Sequence, residues 1–234
     1  MAVYDFPEAL KASVASFCLS KAGVQFRSPF NGTLQAVGFA AERWTCSLTT
    51  PGIATAESGD TEAFLNLLAG GVNFIRIYHP GRPYPVGTLK GSPIMQTAAA
   101  RGATQIVLGN CTPGATLKAG DMLGVAVGTQ LFQVAFDCTA NLAGTMTVPL
   151  VNRVRAGISS GAAVTWQRPY ALFACPAMRN DTVHRPGYLD SAAIDLVEVW
   201  DPNDDDGSSA ILSGALLLGD GFLHLDETGQ LILE

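Results

Sequence analysis

The densest group of potential ligands in this chain is the acidic run Asp201-Pro202-Asn203-Asp204-Asp205-Asp206-Gly207. Carboxylate and amide oxygens at alternate positions are the donor set of a calcium loop. Such a loop also turns on a glycine at its sixth position and closes with a glutamate at its twelfth. Counted from Asp201, the donors at one, three and five fit, but the sixth residue is Asp206 and the twelfth is Leu212. The run reads as a solvated loop between strands. His79, His184 and His224 are scattered, with no HxH or HxxxH spacing to bring three metal ligands together. Gly87-Thr88-Leu89-Lys90-Gly91 lacks the spacing and the following hydroxyl of a phosphate-binding loop, and there is no GxSxG elbow or GxGxxG after a strand. No catalytic, cofactor-binding or metal-binding residue is assigned, and the chain is not expected to be an enzyme.

Cysteine chemistry is equally bare. Cys18, Cys46, Cys111, Cys138 and Cys175 are odd in number and far apart, with no CxxC. They are expected to be reduced, with Cys46 and Cys138 acting as small buried hydrophobes, in keeping with assembly inside a cell.

Charge is sparse. Asp, Glu, Lys and Arg make up 15% of 234 residues, against about 25% in a typical globular chain. Interface cores are depleted in charge, so this composition suits a subunit buried against neighbours. The formal net charge is −6, and the densest basic group is the pair Arg153 and Arg155, placed on one face of a strand. Tight nucleic-acid binding, which needs several phosphate contacts, is disfavoured. The start MAVYDFPEAL has neither the basic region nor the apolar run of a signal peptide, and no stretch approaches a membrane span.

The elements behind these residues are mostly strands. Between Arg101 and Arg155, Phe132, Val134 and Phe136 alternate with Gln133, Ala135 and Asp137, while Met146, Val148 and Leu150 alternate with Thr145, Thr147 and Pro149. A period of two marks a half-buried strand. The same period predicts strands over Ala12–Leu19, Thr33–Phe39 and Arg43–Thr49, the last burying Trp44, Cys46 and Leu48, with Asn31-Gly32 as a hairpin turn. Tyr4–Leu10 reads as an irregular arm or one helical turn. Asp60 is the expected N-cap of a helix over Thr61–Ala69 that stops at Gly70-Gly71. Strands follow over Val72–Tyr78, Tyr170–Cys175 and Ala192–Trp200, with a loop over Arg179–Gly187 and a three-strand meander over Ala210–Glu234.

The prolines and glycines of His79–Pro93 interrupt regular structure and mark a boundary. The expected architecture is all-β with one short α-helix. Residues 1–79 plus 168–234 form a discontinuous β-sandwich core domain, and residues 80–167 an inserted small β-barrel or β-sandwich module; two consecutive β domains are the alternative. Tyr78, Tyr84, Tyr170 and Tyr188 stand beside Pro or Gly at segment ends, where tyrosines serve as interface anchors. With Arg76, Arg153 and Arg155 they are the interface candidates.

The insertion carries a further signal: Arg101-Gly102-Ala103-Thr104-Gln105, Thr116-Leu117-Lys118-Ala119-Gly120-Asp121, Gln130-Leu131-Phe132-Gln133-Val134, Ala143-Gly144-Thr145, Arg153-Val154-Arg155 and Gly161-Ala162-Ala163-Val164. This pattern resembles the distal tail and tail-tip structural proteins of long-tailed bacteriophages, over roughly residues 30–175. The resemblance implies a virion protein of the tail tip, assembled in the host cytoplasm. It implies a ring of copies of the chain, hexameric, that joins the tail tube protein to a tail-tip hub protein and leaves a channel for DNA. It brings no cofactor. A carbohydrate- or receptor-binding β module of a tail tip is the alternative.

Overall fold

Segments with a period of two become strands, and the described residues are all-β with one α-helix. The computed structural model describes residues 2–5, 14–39, 41–125, 130–180 and 182–199. The acidic run, His224 and the expected meander lie outside them. In chain order the elements are β1 (Val3–Asp5), β2 (Val14–Ser20), β3 (Gly23–Arg27), β4 (Leu34–Gly38), β5 (Arg43–Thr49), β6 (Ile53–Ala54), α1 (Thr55–Leu68) and β7 (Phe74–Tyr78). Next come β8 (Ile94–Met95), β9 (Gln105–Gly109), β10 (Thr116–Leu117), β11 (Met122–Val125), β12 (Gln130–Gln133), β13 (Cys138–Thr139), β14 (Met146–Pro149) and β15 (Val164–Thr165). The series closes with β16 (Tyr170–Ala174), β17 (Thr182–Arg185) and β18 (Tyr188–Glu198).

An eight-stranded sheet runs β1-β7-β16-β18-β5-β2, with β6 and β17 pairing the first part of β18. Among the described strands, only β1 is parallel to its neighbour: Val3, Tyr4 and Asp5 lie opposite Phe74, Ile75 and Arg76. The sheet's inner face carries Trp44, Cys46 and Leu48 from β5, Ile75 and Ile77 from β7, Ala171 and Phe173 from β16, and Ile194 and Leu196 from β18. Leu65 and Leu68 of α1 pack on that face, as do Met122 of β11 and Leu131 of β12.

Residues between Leu89 and Val164 form a second apolar core, built from three small sheets ordered β14-β9-β8, β12-β11-β15 and β10-β13. Leu123 and Phe132 enter it while Met122 and Leu131 face the large sheet. Strands β11 and β12 are therefore buried on both sides, and they form the layer shared by the two cores.

Several details correct the sequence reading. The helix starts at Thr55, six residues before the expected first turn, and Asp60 lies inside it. Strand β6 runs directly into α1 because Ile53 and Ala54 are pinned to Leu189 and Tyr188 of β18. The stop at Gly70-Gly71 is as expected, with φ of 79° and 68°, which favour glycine. Asn180 Nδ2 donates to the Leu65 carbonyl at 2.6 Å and Asn73 Nδ2 to that of Leu67 at 2.8 Å, satisfying carbonyls of the last turn. Residues 182–185 are a strand rather than a loop, and β18 begins at Tyr188 rather than Ala192. Of the expected arm or helical turn over Tyr4–Leu10, Tyr4 and Asp5 belong to strand β1, and the rest lies outside the described residues. The alternation through Phe132 and Val134, both buried, ends before Phe136, which is 72% exposed.

Candidate functional site

Three interface candidates, Arg76, Tyr78 and Tyr170, meet on the outer face of the large sheet, and a fourth, Tyr84, lies in the loop beyond them. Tyr78 and Tyr170 are register partners on β7 and β16, and Arg76 stands opposite Leu172. Even-numbered residues of β7 leave the face opposite Ile75 and Ile77, so Arg76 and Tyr78 project on one side. The Arg76 guanidinium lies 5.7 Å from the Tyr170 ring centre and is paired with Asp5 at 3.0 Å. Arg168, which was not among the candidates, places its guanidinium 5.7 Å from the Tyr78 ring and 6.0 Å from Tyr84. Asp5, Arg76, Tyr78, Arg168 and Tyr170 line a shallow recess of about 320 Å³. Arg168 has a φ of 44° and is held by its N–H to the Pro83 carbonyl at 2.7 Å. Left-handed backbone in a non-glycine residue carries strain. A lone arginine beside Pro169 gives no sequence signal for this.

The other candidates lie elsewhere. Tyr188 starts β18, opposite Arg185 and Ala54. Arg153 and Arg155 do not share a strand face, because residues 151–157 are not a strand. Arg153 braces the end of β4: its Nη1 donates to the Gly38 carbonyl at 2.8 Å.

Arg155 is not a surface residue. Its side chain and that of Glu198 are each 1% exposed and form a bidentate ion pair, with Nη2–Oε1 at 2.5 Å and Nη1–Oε2 at 2.9 Å. The Trp44 N–H donates to Glu198 Oε2 at 3.0 Å and the Leu131 N–H to Oε1 at 3.4 Å. The Trp44 indole N–H and Asn152 Nδ2 both donate to the Leu131 carbonyl, at 2.9 and 2.8 Å. Gln130 completes the set, accepting from the Arg155 N–H at 2.9 Å and donating to the Arg153 carbonyl at 2.7 Å. Burial pushes the Glu198 carboxyl above its ordinary value, against the pull of Arg155 and the two N–H donors. This buried network ties β5 and β18 of the large sheet to residues 130–155 of the second core.

A further feature escaped the candidates. Among the described residues, strands β3 and β4 pair only with each other and form a hairpin arm between β2 and β5. Every residue of both strands is exposed. Val24, Phe26, Val37 and Phe39 share one face by register, Phe26 being 61% exposed, and Phe30 near the tip is 98% exposed. The turn is closed by Asn31 Oδ1, which accepts from the Thr33 N–H at 3.1 Å.

Among the described residues, no group of three or more His, Cys, Asp or Glu side chains is placed to hold a metal ion. Burial, with a smaller push from Asp195, raises the Cys46 thiol to about 12, and burial raises Cys138 to about 11. No disulfide joins the described cysteines. Among the described residues, no helix is long and apolar enough to cross a membrane. No protein-family model and no curated protein matches the chain.

Proposed function

We propose that the chain is a structural subunit of a bacteriophage tail tip, of the distal-tail kind, which repeats head to tail into a ring between the tail tube protein and a tail-tip hub protein. The observation that carries this reading is the β3–β4 arm. A two-stranded ribbon is marginal in water alone, and this one presents exposed apolar residues on a face that no other described strand pairs with or covers. A second copy supplies the missing cover. The arm extends from β2 and β5, at one edge of the large sheet. Around the Gly70 turn, where α1 leads into β7, Leu67, Val72 and Met178 are 39%, 59% and 85% exposed. An arm at one edge and a separate apolar patch on the same subunit make a contact that repeats, and such a contact closes into a ring when the rotation divides a full turn. A net charge of −6 keeps DNA moving through the channel without adhesion. The subunit sits in the virion tail tip after assembly in the host cytoplasm.

The test is particle mass by light scattering and native mass spectrometry, with negative-stain images. The wild-type chain forms rings, and the double variant Phe26→Asp/Val37→Asp is monomeric with unchanged circular dichroism. A wild-type monomer at all concentrations, or rings that survive the double variant, refutes the reading. The Arg–Tyr recess favours a second reading, a carbohydrate- or receptor-binding β module at the tail tip.

A further inference from the structure

We infer that the recess between Arg168 and Arg76 is a binding site for an acidic pyranose, a sugar ring bearing one carboxylate. The inference gives the second reading a ligand class and is independent of ring assembly, since one subunit holds every residue concerned.

The charge count sets the acid. Arg76 is neutralised by Asp5 at 3.0 Å, whereas Arg168 makes no ion pair among the described residues. One cation is thus left to take one carboxylate, in the bidentate fork that guanidinium favours. The walls set the ring. Tyr78 and Tyr170 stand side by side on neighbouring strands, with Tyr84 beyond the Arg168 guanidinium. Aromatic faces with polar tips suit the apolar face and hydroxyls of a pyranose. The Asp5 carboxylate is 79% exposed and open to accept a hydroxyl hydrogen bond. The recess is shallow, about 320 Å³ and open to solvent, so it receives one face of a single ring and leaves the rest of the sugar in water.

The backbone sets the aim. Arg168 is strained at φ 44° and fixed by its N–H to Pro83. Strain of this kind persists where the surroundings enforce it, and it clusters at ligand sites. An acidic peptide fits less well. A run of carboxylates calls for several unpaired cations, and the recess offers one.

The experiment is calorimetric titration and saturation-transfer NMR on the full chain. The acidic probes are galacturonate and 3′-sialyllactose, the neutral ones galactose and lactose, and the peptide control has the sequence DPNDDDG. At least one acidic sugar binds, and about tenfold or more tighter than its neutral partner. Arg168→Ala weakens that binding about tenfold to a hundredfold, the loss of a charge-assisted pair. Arg168→Lys retains part of it, and Tyr84→Phe retains most. Arg27→Ala, on the arm, changes nothing. Equal binding of neutral and acidic sugars overturns the inference, as does binding of the peptide alone. Absence of binding by both acids at roughly 10 mM also overturns it. Because the readout is binding to the subunit, a chain that never forms rings still tests it.

Discussion

Replacing Glu198 by glutamine is the sharpest perturbation of this structure. The substituted amide keeps the shape and one acceptor but strands the Arg155 guanidinium, whose side chain is 1% exposed. Leaving one charge of a buried pair without its partner costs about 3–5 kcal/mol. Arg155→Met strands the carboxylate instead, at a similar cost. If the effects were independent, the double variant would lose about 6–10 kcal/mol. Instead, Arg155→Met/Glu198→Gln removes both charges and leaves one acceptor near the Trp44 and Leu131 N–H groups. Its loss is expected at about 1–3 kcal/mol, the cost of one unsatisfied buried donor. The coupling is then on the order of 4 kcal/mol or more.

Urea unfolding followed by tryptophan fluorescence reads this directly, since the Trp44 indole donates into the same network. For a chain of this size, each kcal/mol moves the thermal midpoint by about 2–4 °C, so each single variant melts roughly 6–20 °C lower. Single variants within about 1 kcal/mol of wild type, or a double variant that is merely additive, refute the network as a clamp between the two cores.

Three further outcomes follow from the geometry. His79 packs against Phe17, with ring centres 4.7 Å apart and planes tilted by 53°, and its imidazole is held below its ordinary value by burial and then by Arg82. The unfolded chain takes up the proton more readily, so stability is full above about pH 6.5 and falls as pH drops toward the depressed folded value; His79→Phe flattens that slope in urea midpoints taken between about pH 7.5 and 5.5, and an unchanged slope sinks the assignment. Asp121 is fully buried and accepts from the Val86, Gly87 and Lys118 N–H groups at 2.8, 3.1 and 2.8 Å; Asp121→Ala costs about 2–5 kcal/mol, and hydrogen exchange should speed first at those three amides. A Cβ at Gly144, where φ is 72°, would sit 2.6 Å from the Cys111 carbonyl oxygen, whereas one at Gly161 meets nothing within 4 Å; Gly144→Ala should cost about 2–4 kcal/mol and Gly161→Ala about 1–2, and calorimetry showing equal losses counts against the packing argument.

Period-two runs were legible because a strand with one dry face writes its burial into its own residues. Trp44, Cys46 and Leu48 are the clearest case, at 3%, 2% and 5% exposure. Arg155 was not legible. A charge in a glycine-bearing polar stretch resembles surface, and its partner Glu198 lies 43 residues away, reachable only through the fold. Asp60 offered a cap-type side chain, yet the helix start is set by the pairing of Ile53 and Ala54 with β18, a tertiary constraint that overrides a local preference. Strand β1 has three residues and, among the described strands, pairs with β7 alone. The Arg168–Tyr78–Tyr84 group joins residues from both sides of the second core, so no spacing announces it. The arm was readable as a hairpin from Asn31-Gly32, but its isolation from other strands was not, because a sequence reports alternation and not what faces it.

The placement of β18 has a consequence for synthesis on the ribosome. It lies between β16 and β5, yet comes last in chain order among the described strands. Until residues 188–198 emerge, the halves β1-β7-β16 and β5-β2 have no common strand, and each shows an open edge. The Leu89–Val164 core is by then complete. At roughly 5–20 residues per second of translation, the nascent chain spends a few seconds with a finished inner module and a divided outer sheet. Chaperone engagement, and the yield of soluble subunit, should turn on that interval.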